Sequence, residues 1–164
     1  MSETYLPAGM PAPVPSADGL DVPYWEGTRR GELWVQQCGS CGNWQWGPEW
    51  LCHKCTSFEI KWVQVEGSGV IYSWERPWHP VHPALKGRGA YTVVLVELPQ
   101  AGNIRMIGNL LGPDDQEVVI GGEVEAVDVD AQDTSSILQT DVDRVERVVS
   151  EITDLAFRRS AEGE

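Results

Sequence analysis

Positive charge is what this sequence has least of. Twelve Lys and Arg stand against 25 Asp and Glu, a formal net charge of −13 over 164 residues. A nucleic-acid binder needs cations to displace counterions from phosphate, so that class is disfavoured, and anionic membrane surfaces are disfavoured for the same reason. No apolar run approaches the roughly 18 residues of a membrane-spanning helix. The N-terminus shows no basic-then-apolar signal pattern, which reads as cytoplasmic. Cysteine is confined to four residues within one short stretch. A secreted disulfide framework scatters its cysteines, so a reduced compartment with metal ligation fits better. Catalytic signatures are missing as well. There is no G-x-S-x-G elbow and no Walker loop, and "GSG" at 67–69 is too short for a dinucleotide fingerprint. No residue is assigned a catalytic role.

What is present is unevenly arranged. Residues 1–112 carry ten acids and eight cations, whereas 113–164 carry fifteen and four. Residues 1–21 hold Pro7, Pro11, Pro13 and Pro15 with few apolar side chains, and read as a flexible arm. "VPYWEGTRRGE" (22–32) predicts a short helix with Asp21 as N-cap and Pro23 in its first turn. "FEIKWVQV" (58–65) sets Phe58, Ile60 and Trp62 against Glu59 and Lys61, a half-buried strand. From Gly67 onward "GSGVIYSWERP", "AYTVVLVELP", "NIRMIGNLLG" and "EVEAVDVD" predict strands separated by Gly/Pro turns. With no helix between them, a small barrel or sandwich follows. In 140–159, Val142, Val145, Val149, Ile152 and Ala156 recur at steps of three and four, Thr140 and Asp143 resemble a capping box, and Arg158 and Arg159 suit a helix C-terminus. An amphipathic helix is predicted there, packing on its own barrel or docking on a partner through Val145, Val149 and Ile152.

The richest stretch is "QCGSCGNWQWGPEWLCHKCT" (37–56). Cys38-x-x-Cys41 and Cys52-x-x-Cys55 form two knuckles able to complete a tetrahedral S₄ shell, with Gly39 and Gly42 supplying turn dihedrals. Such a shell leaves no position for water or substrate, so one structural zinc per chain is predicted; iron uses the same ligands. His53 stands between two ligands and is expected to point outward. All eight tryptophans fall between Trp25 and Trp78. Trp44, Trp46 and Trp50 lie between the knuckles, and either cover the metal site and join ribbon to barrel or form a partner surface. The densest cationic stretch is "RPWHPVHPALKGRG", with Arg76, His79, His82, Lys86 and Arg88. It is either a solvated, proline-stiffened loop or a clamp for an anionic ligand at a partner's rim; a lone catalytic histidine is the remaining reading.

The order of these parts resembles a known family. "VPYWEGTRRGELWVQQCGSCG", "WGPEWLCHKC", "KWVQVEGSGVIYSW", "YTVVLVEL", "IGNLLG" and "VVIGGEVEAV" are similar to the domain-of-unknown-function-35 family from about Val22 to Val129. The resemblance implies a mainly β chain: an N-terminal helix and rubredoxin-like four-cysteine zinc ribbon over 22–65, and a five-stranded OB-fold barrel over 66–130. Residues 131–164 would then be an acidic linker and an extra C-terminal helix outside the family pattern. It also implies an accessory role beside thiolase-superfamily enzymes, including lipid-transfer-protein-type ones, in a hetero-oligomer with acyl-CoA near the interface. The reaction expected is retro-aldol or thiolytic carbon–carbon cleavage of a bulky acyl-CoA, such as a steroid side-chain ester. The cationic loop would face the CoA phosphates. An independent acyl-CoA-binding module or enzyme is the alternative, with a nucleic-acid-binding OB/ribbon protein behind it.

Overall fold

A computed structural model of the chain describes residues 10, 13–130 and 153–159. The helix α1 spans Val22–Thr28 with Pro23 in its first turn. It is followed by β1 (Leu33–Cys38), β2 (Trp44–Gln45), β3 (Ile60–Val65), β4 (Ser68–Glu75), β5 (Val93–Leu98), β6 (Ile104–Leu110), β7 (Glu123–Asp130) and β8 (Thr153–Arg159). Short 3-10 turns at Pro83–Leu85 and Pro99–Ala101 punctuate the loops.

Two sheets share one core. β1 lies between β2 and β3 in an antiparallel three-stranded sheet, and β4-β5-β6-β8-β7 close into a barrel. Closure comes from β7 pairing with β4 and from β8, which runs antiparallel to β7 and parallel to β6. Ile71, Val94, Val96, Leu98, Met106, Leu110 and Val124 fill the barrel, and Tyr24, Leu33 and Val35 extend the same core under the ribbon. The alternation of β5 is legible in its burial, with Val94, Val96 and Leu98 buried and Val93, Leu95 and Glu97 half-exposed.

Several expectations change. The helix predicted for 140–159 ends differently: Thr153–Arg159 is a strand, and 140–152 lies outside the described residues. Without β8, β6 and β7 would each present an unpaired edge, and pairing both is a stronger constraint than a periodicity that seven residues cannot define. The barrel therefore draws its fifth strand from beyond Asp130. Asp21 stands at the N-cap position of α1 as expected, but its carboxylate makes no capping bond and instead accepts from the Ser16 amide and the Trp25 indole. Residues 16–21 are thereby folded into a turn, with Val22 N–H donating to the Gly19 carbonyl, and the flexible-arm reading does not hold for them. Phe58 stands outside β3, 77% exposed.

Two contacts fix the ribbon to the barrel. The Gln100 side chain donates to the carbonyls of Glu66 and Ser68 at the β3–β4 joint. Trp44 packs over Gly102 at the β5–β6 turn, where a Cβ would come within 2.8 Å of the indole. Inside the barrel Gly69 allows β4 to approach β5: a Cβ there would lie 2.5 Å from a Val96 methyl and 2.9 Å from the Glu97 carbonyl oxygen. Gly69→Ala is therefore expected to cost about 1–3 kcal/mol. Thermal unfolding should shift down while bound metal per chain stays unchanged; an unaltered melting curve would contradict the close approach.

Candidate metal centre and its surroundings

The two knuckles are built alike. β1 ends on Cys38, whose N–H donates to the Asn43 carbonyl, and the Gly42 N–H returns to the Cys38 carbonyl at 2.9 Å. In the second knuckle the Cys52 N–H donates to the Ser57 carbonyl, and the Thr56 N–H returns to the Cys52 carbonyl at 3.0 Å. The residue after each pair turns left-handed, Gly42 with φ +72° and Thr56 with φ +58°. Thr56 holds a conformation unfavourable for a β-branched residue, so the knuckle geometry overrides local preference there. Gly39 serves differently from the expected turn role: its N–H donates to the Glu59 carbonyl, and a side chain would crowd Lys61 and that oxygen.

All four sulfurs lie within 4.8 Å of one another. Cys38 Sγ to Cys55 Sγ and Cys41 Sγ to Cys52 Sγ are each 3.6 Å, far beyond a disulfide bond. A tetrahedral metal with bonds of about 2.3 Å to sulfur sets sulfurs roughly 3.8 Å apart, so the quartet fits a metal ion. The amides of Cys41 and Lys54 point at Cys38 Sγ and Cys52 Sγ, at 3.5 and 3.4 Å, as thiolates require. Cys38 and Cys52 are buried, while Cys41 and Cys55 reach the surface. His53 is exposed and stands outside the quartet.

Electrostatics make the same demand. The Cys55 backbone amide, followed by the Lys54 amide and the neighbouring thiols, brings the Cys52 thiol down to about 6 against opposing desolvation. Cys38 is lowered chiefly by the Cys41 amide. For Cys55 the Ser57 amide favours the thiolate, but the Cys41 thiol, desolvation and the Cys38 and Cys52 thiols outweigh it and push the group to about 12. The first sulfur ionises readily and the last does not, as crowded like charges dictate. A cation at the centre removes that conflict.

Polar side chains unnoticed in the sequence hold the second knuckle. Gln36 and Gln45 are buried, 1% and 2% exposed. Gln45 Nε2 donates to Gln36 Oε1 and to the Leu51 carbonyl, while its Oε1 accepts from the His53 amide. Gln36 Oε1 also accepts from the Glu49 amide. The ascent from β2 to Cys52 is thus tied to β1 by two amides. Across the top, Ser40 Oγ meets Ser57 Oγ at 2.8 Å and donates to Glu59 at 2.7 Å, bracing one knuckle on the other. The available signal was placement alone: two glutamines opposite each other on paired strands, Gln36 against Gln45.

The tryptophans divide. Trp44 and Trp46 pack inward against the core, Trp46 with its ring 4.9 Å from Tyr24. Trp50 is 56% exposed, its indole donating to Asp18. Val145, Val149 and Ile152 lie outside the described residues. The cationic loop is also divided. Arg76 is spent on folding, donating to Thr92 Oγ1 and the Gln116 carbonyl and lying 5.3 Å from the Trp74 ring centroid. His82 Nδ1 accepts from the Ala84 amide and starts the 3-10 turn. His79 and Lys86 are exposed, and Arg88 is half-buried, 5.9 Å from the Tyr91 ring centroid. A cleft of about 680 Å³ opens between ribbon and barrel, lined by Thr28, Leu33, Gln64 and the acids Glu32, Glu66 and Glu125. Those acids are the wrong sign for a phosphate.

A two-knuckle cysteine ribbon joined to a β4-β5-β6-β8-β7 barrel is the architecture of a ribbon-plus-OB-fold protein. Residues 25–60 match the ChsH2 rubredoxin-like zinc ribbon domain, and residues 62–128 match the ChsH2 C-terminal OB-fold domain. The chain belongs to the ChsH2-type domain-of-unknown-function-35 family. It is 31% identical over 109 residues to a protein named "Probable enoyl-CoA hydratase alpha subunit" from Thermomonospora curvata, covering 66% of this chain and 33% of that one. It is 30% identical over 145 residues to the 3-oxo-4,17-pregnadiene-20-carboxyl-CoA hydratase alpha subunit of Mycobacterium tuberculosis, covering 80% of this chain and 44% of that one. The chain thus spans less than half the length of either relative. Among solved structures, a chain of the Ltp2-ChsH2(DUF35) aldolase superposes with a TM-score of 0.67 at 27% identity, covering 92% of this chain and all of the other. A domain-of-unknown-function-35 protein from Sulfolobus solfataricus, of unknown function, superposes with a TM-score of 0.55 at 12% identity over 89% of this chain and 87% of its own, a likeness of fold.

The quartet and its braces are each open to test. Metal uptake displaces protons from the thiols, and protons return as pH falls, so affinity weakens progressively on acidification. Bound metal should be released on acidification towards about pH 4, measured by dialysis and elemental analysis; full retention there would contradict thiolate ligation. Gln45→Leu leaves the His53 amide and the Leu51 carbonyl without their side-chain partner and removes one of two donors to Gln36 Oε1, and should cost about 1–3 kcal/mol. It should also speed metal transfer to a chelator, whereas an unchanged transfer rate would show that the amide pair does not hold the second knuckle.

Proposed function

We infer that the chain is an accessory subunit of an acyl-CoA-processing complex. It holds a thiolase-superfamily enzyme of the lipid-transfer-protein type, and the complex cleaves a carbon–carbon bond of a bulky acyl-CoA such as a steroid side-chain ester. The observation that carries this reading is the superposition, at 27% identity, on the full length of a chain from the Ltp2-ChsH2(DUF35) aldolase. Similarity to the alpha subunit of a pregnadiene-carboxyl-CoA hydratase supports the same substrate class. The metal is zinc in this reading, with iron the competing occupant. It is structural, because four sulfurs close the shell and leave no position for a reacting group. Reduced thiols in that role favour a cytoplasmic setting.

In this arrangement the partner supplies nucleophile or base. The chain supplies a rigid surface, Lys86 and Arg88 supply positive charge towards the CoA phosphates, and His79 a ring N–H beside them. Arg76 and His82 take no direct part, since both are engaged in shaping the loop. Trp50 is the tryptophan of the ribbon free to anchor a partner, being the exposed one of the three between the knuckles. The acidic cleft beside Glu32, Glu66 and Glu125 is not the CoA site.

Mixing the purified chain with a separately purified lipid-transfer-protein-type thiolase tests the reading. Expected are a stable complex by size exclusion, cleavage of a steroid side-chain acyl-CoA by the mixture, and none by this chain alone. A double Lys86→Ala, Arg88→Ala variant should raise the KM of the complex for the CoA ester by about tenfold, the scale of a lost phosphate contact near 1.4 kcal/mol. Turnover by the chain alone would replace the accessory reading with that of an independent enzyme.

A further inference from the structure

Trp78 and Val81, at the tip of the loop that joins β4 to β5, are 77% and 78% exposed. Trp50, the next most open tryptophan, is 56% exposed and already bonded to Asp18. Apolar side chains scattered singly on a surface need no explanation, but this pair stands on a built mount. The root of the loop is folded. Arg76 donates to Thr92 Oγ1 and to the Gln116 carbonyl, and Leu85 and Ala90 are buried. The Lys86 and Arg88 amides return to the carbonyls of Pro83 and Leu85. The tip is stiffened by covalent geometry instead: Pro77, Pro80 and Pro83 recur at every third residue, each fixing its own φ and biasing the residue before it towards extended backbone. His82 shows the effect, at φ −129° and ψ 144°. A stiff mount lowers the ordering cost that a flexible loop bears on binding. Tryptophan is also among the residue types that most often anchor an interface.

We propose that Trp78 and Val81 anchor the chain in an apolar pocket of the thiolase-type enzyme, at the rim of its acyl-CoA site. This rests on the accessory reading above and adds to it the point of attachment. Charge selects the occupant. The tip is followed in the same loop by Lys86 and Arg88, cations on a chain whose net charge is −13. A second copy would bring another −13 and be repelled at long range, whereas CoA at the partner's rim presents phosphates to those cations. The distance suits this division. Five residues separate Val81 from Lys86, at most about 17 Å of fully extended chain, and the 3-10 turn Pro83–Leu85 shortens the span. Seating the tip therefore fixes where the cations stand. Anchor and cations then have separate tasks, attachment for Trp78 and Val81, and hold on the CoA for Lys86 and Arg88.

Calorimetric titration of the full-length, metal-loaded chain into a separately purified lipid-transfer-protein-type thiolase tests this. Trp78→Ala should raise the Kd at least about thirtyfold, and Trp78→Phe only about threefold. Bound metal and melting temperature should stay native in both, because the side chain is exposed. With enough Trp78→Ala chain to saturate the enzyme, the KM for a steroid side-chain acyl-CoA should return to its native value, since Lys86 and Arg88 are intact. A Trp78→Ala Kd within about twofold of native overturns the proposal and leaves the accessory reading standing. Absence of binding by the native chain removes that reading, and the proposal with it. A KM still raised at saturation would put Trp78 in the CoA site and overturn its role as attachment point. Self-association of the native chain that Trp78→Ala abolishes, with enzyme binding unchanged, would assign the tip to a second copy and overturn the proposal too.

Discussion

Four thiols confined within 4.8 Å of one another are the constraint from which the rest of the ribbon follows. Crowded sulfurs cannot all ionise by themselves, as the opposite displacements of Cys52 and Cys55 show. A cation removes the repulsion and closes the ribbon at once. Two turns then converge without a hydrophobic core of their own, and β1 and β2 are held close enough for Gln36 and Gln45 to pair. Trp44 and Trp46 in turn reach Gly102 and Tyr24, so the order imposed at the sulfurs extends into the barrel's core. Ribbon and barrel are in this sense one packed unit: Tyr24, Leu33 and Val35 belong to the same cluster as Val94 and Met106.

A closed site at the ribbon tip moves function to the surfaces that the clip orders. The cleft between ribbon and barrel is acidic and so unsuited to an anionic cofactor. The long β4–β5 loop is cationic, yet two of its five candidate residues are consumed in folding it. What remains on that loop is a modest patch of positive charge. The proposed division of labour draws its support from the superposition on a chain of the Ltp2-ChsH2(DUF35) aldolase.

Much of this was legible in the sequence, and the parts that were not share a cause. The cysteine spacing specified the metal ligands, because metal chemistry is local and fixes residue type and interval. Glu123–Asp130 could be read as a strand because acids and apolar residues alternate in it, with one change of phase at Ala126 and Val127. Residues 153–159 misled because Ala156 stands four residues after Ile152, a helical step, while Leu155 and Phe157 stand two apart, the step of a strand. Only the long-range need to pair β6 and β7 decides between them. Asp21 followed no local rule either: the Trp25 indole and the Ser16 amide compete for the carboxylate that would have capped α1. The glutamine pair was invisible for a similar reason. Its role depends on which strands face each other, not on its own sequence neighbourhood.

A four-cysteine site that is coordinatively closed acts as a structural clip and not as a place of reaction. X-ray absorption spectroscopy of the metal-loaded protein at the metal edge tests it most directly. Expected are one metal per chain, four sulfur neighbours at about 2.3 Å and no oxygen or nitrogen in the shell. A shell with a light-atom ligand, exchangeable with water or displaced by an acyl-CoA, would contradict it and return chemistry to the ribbon.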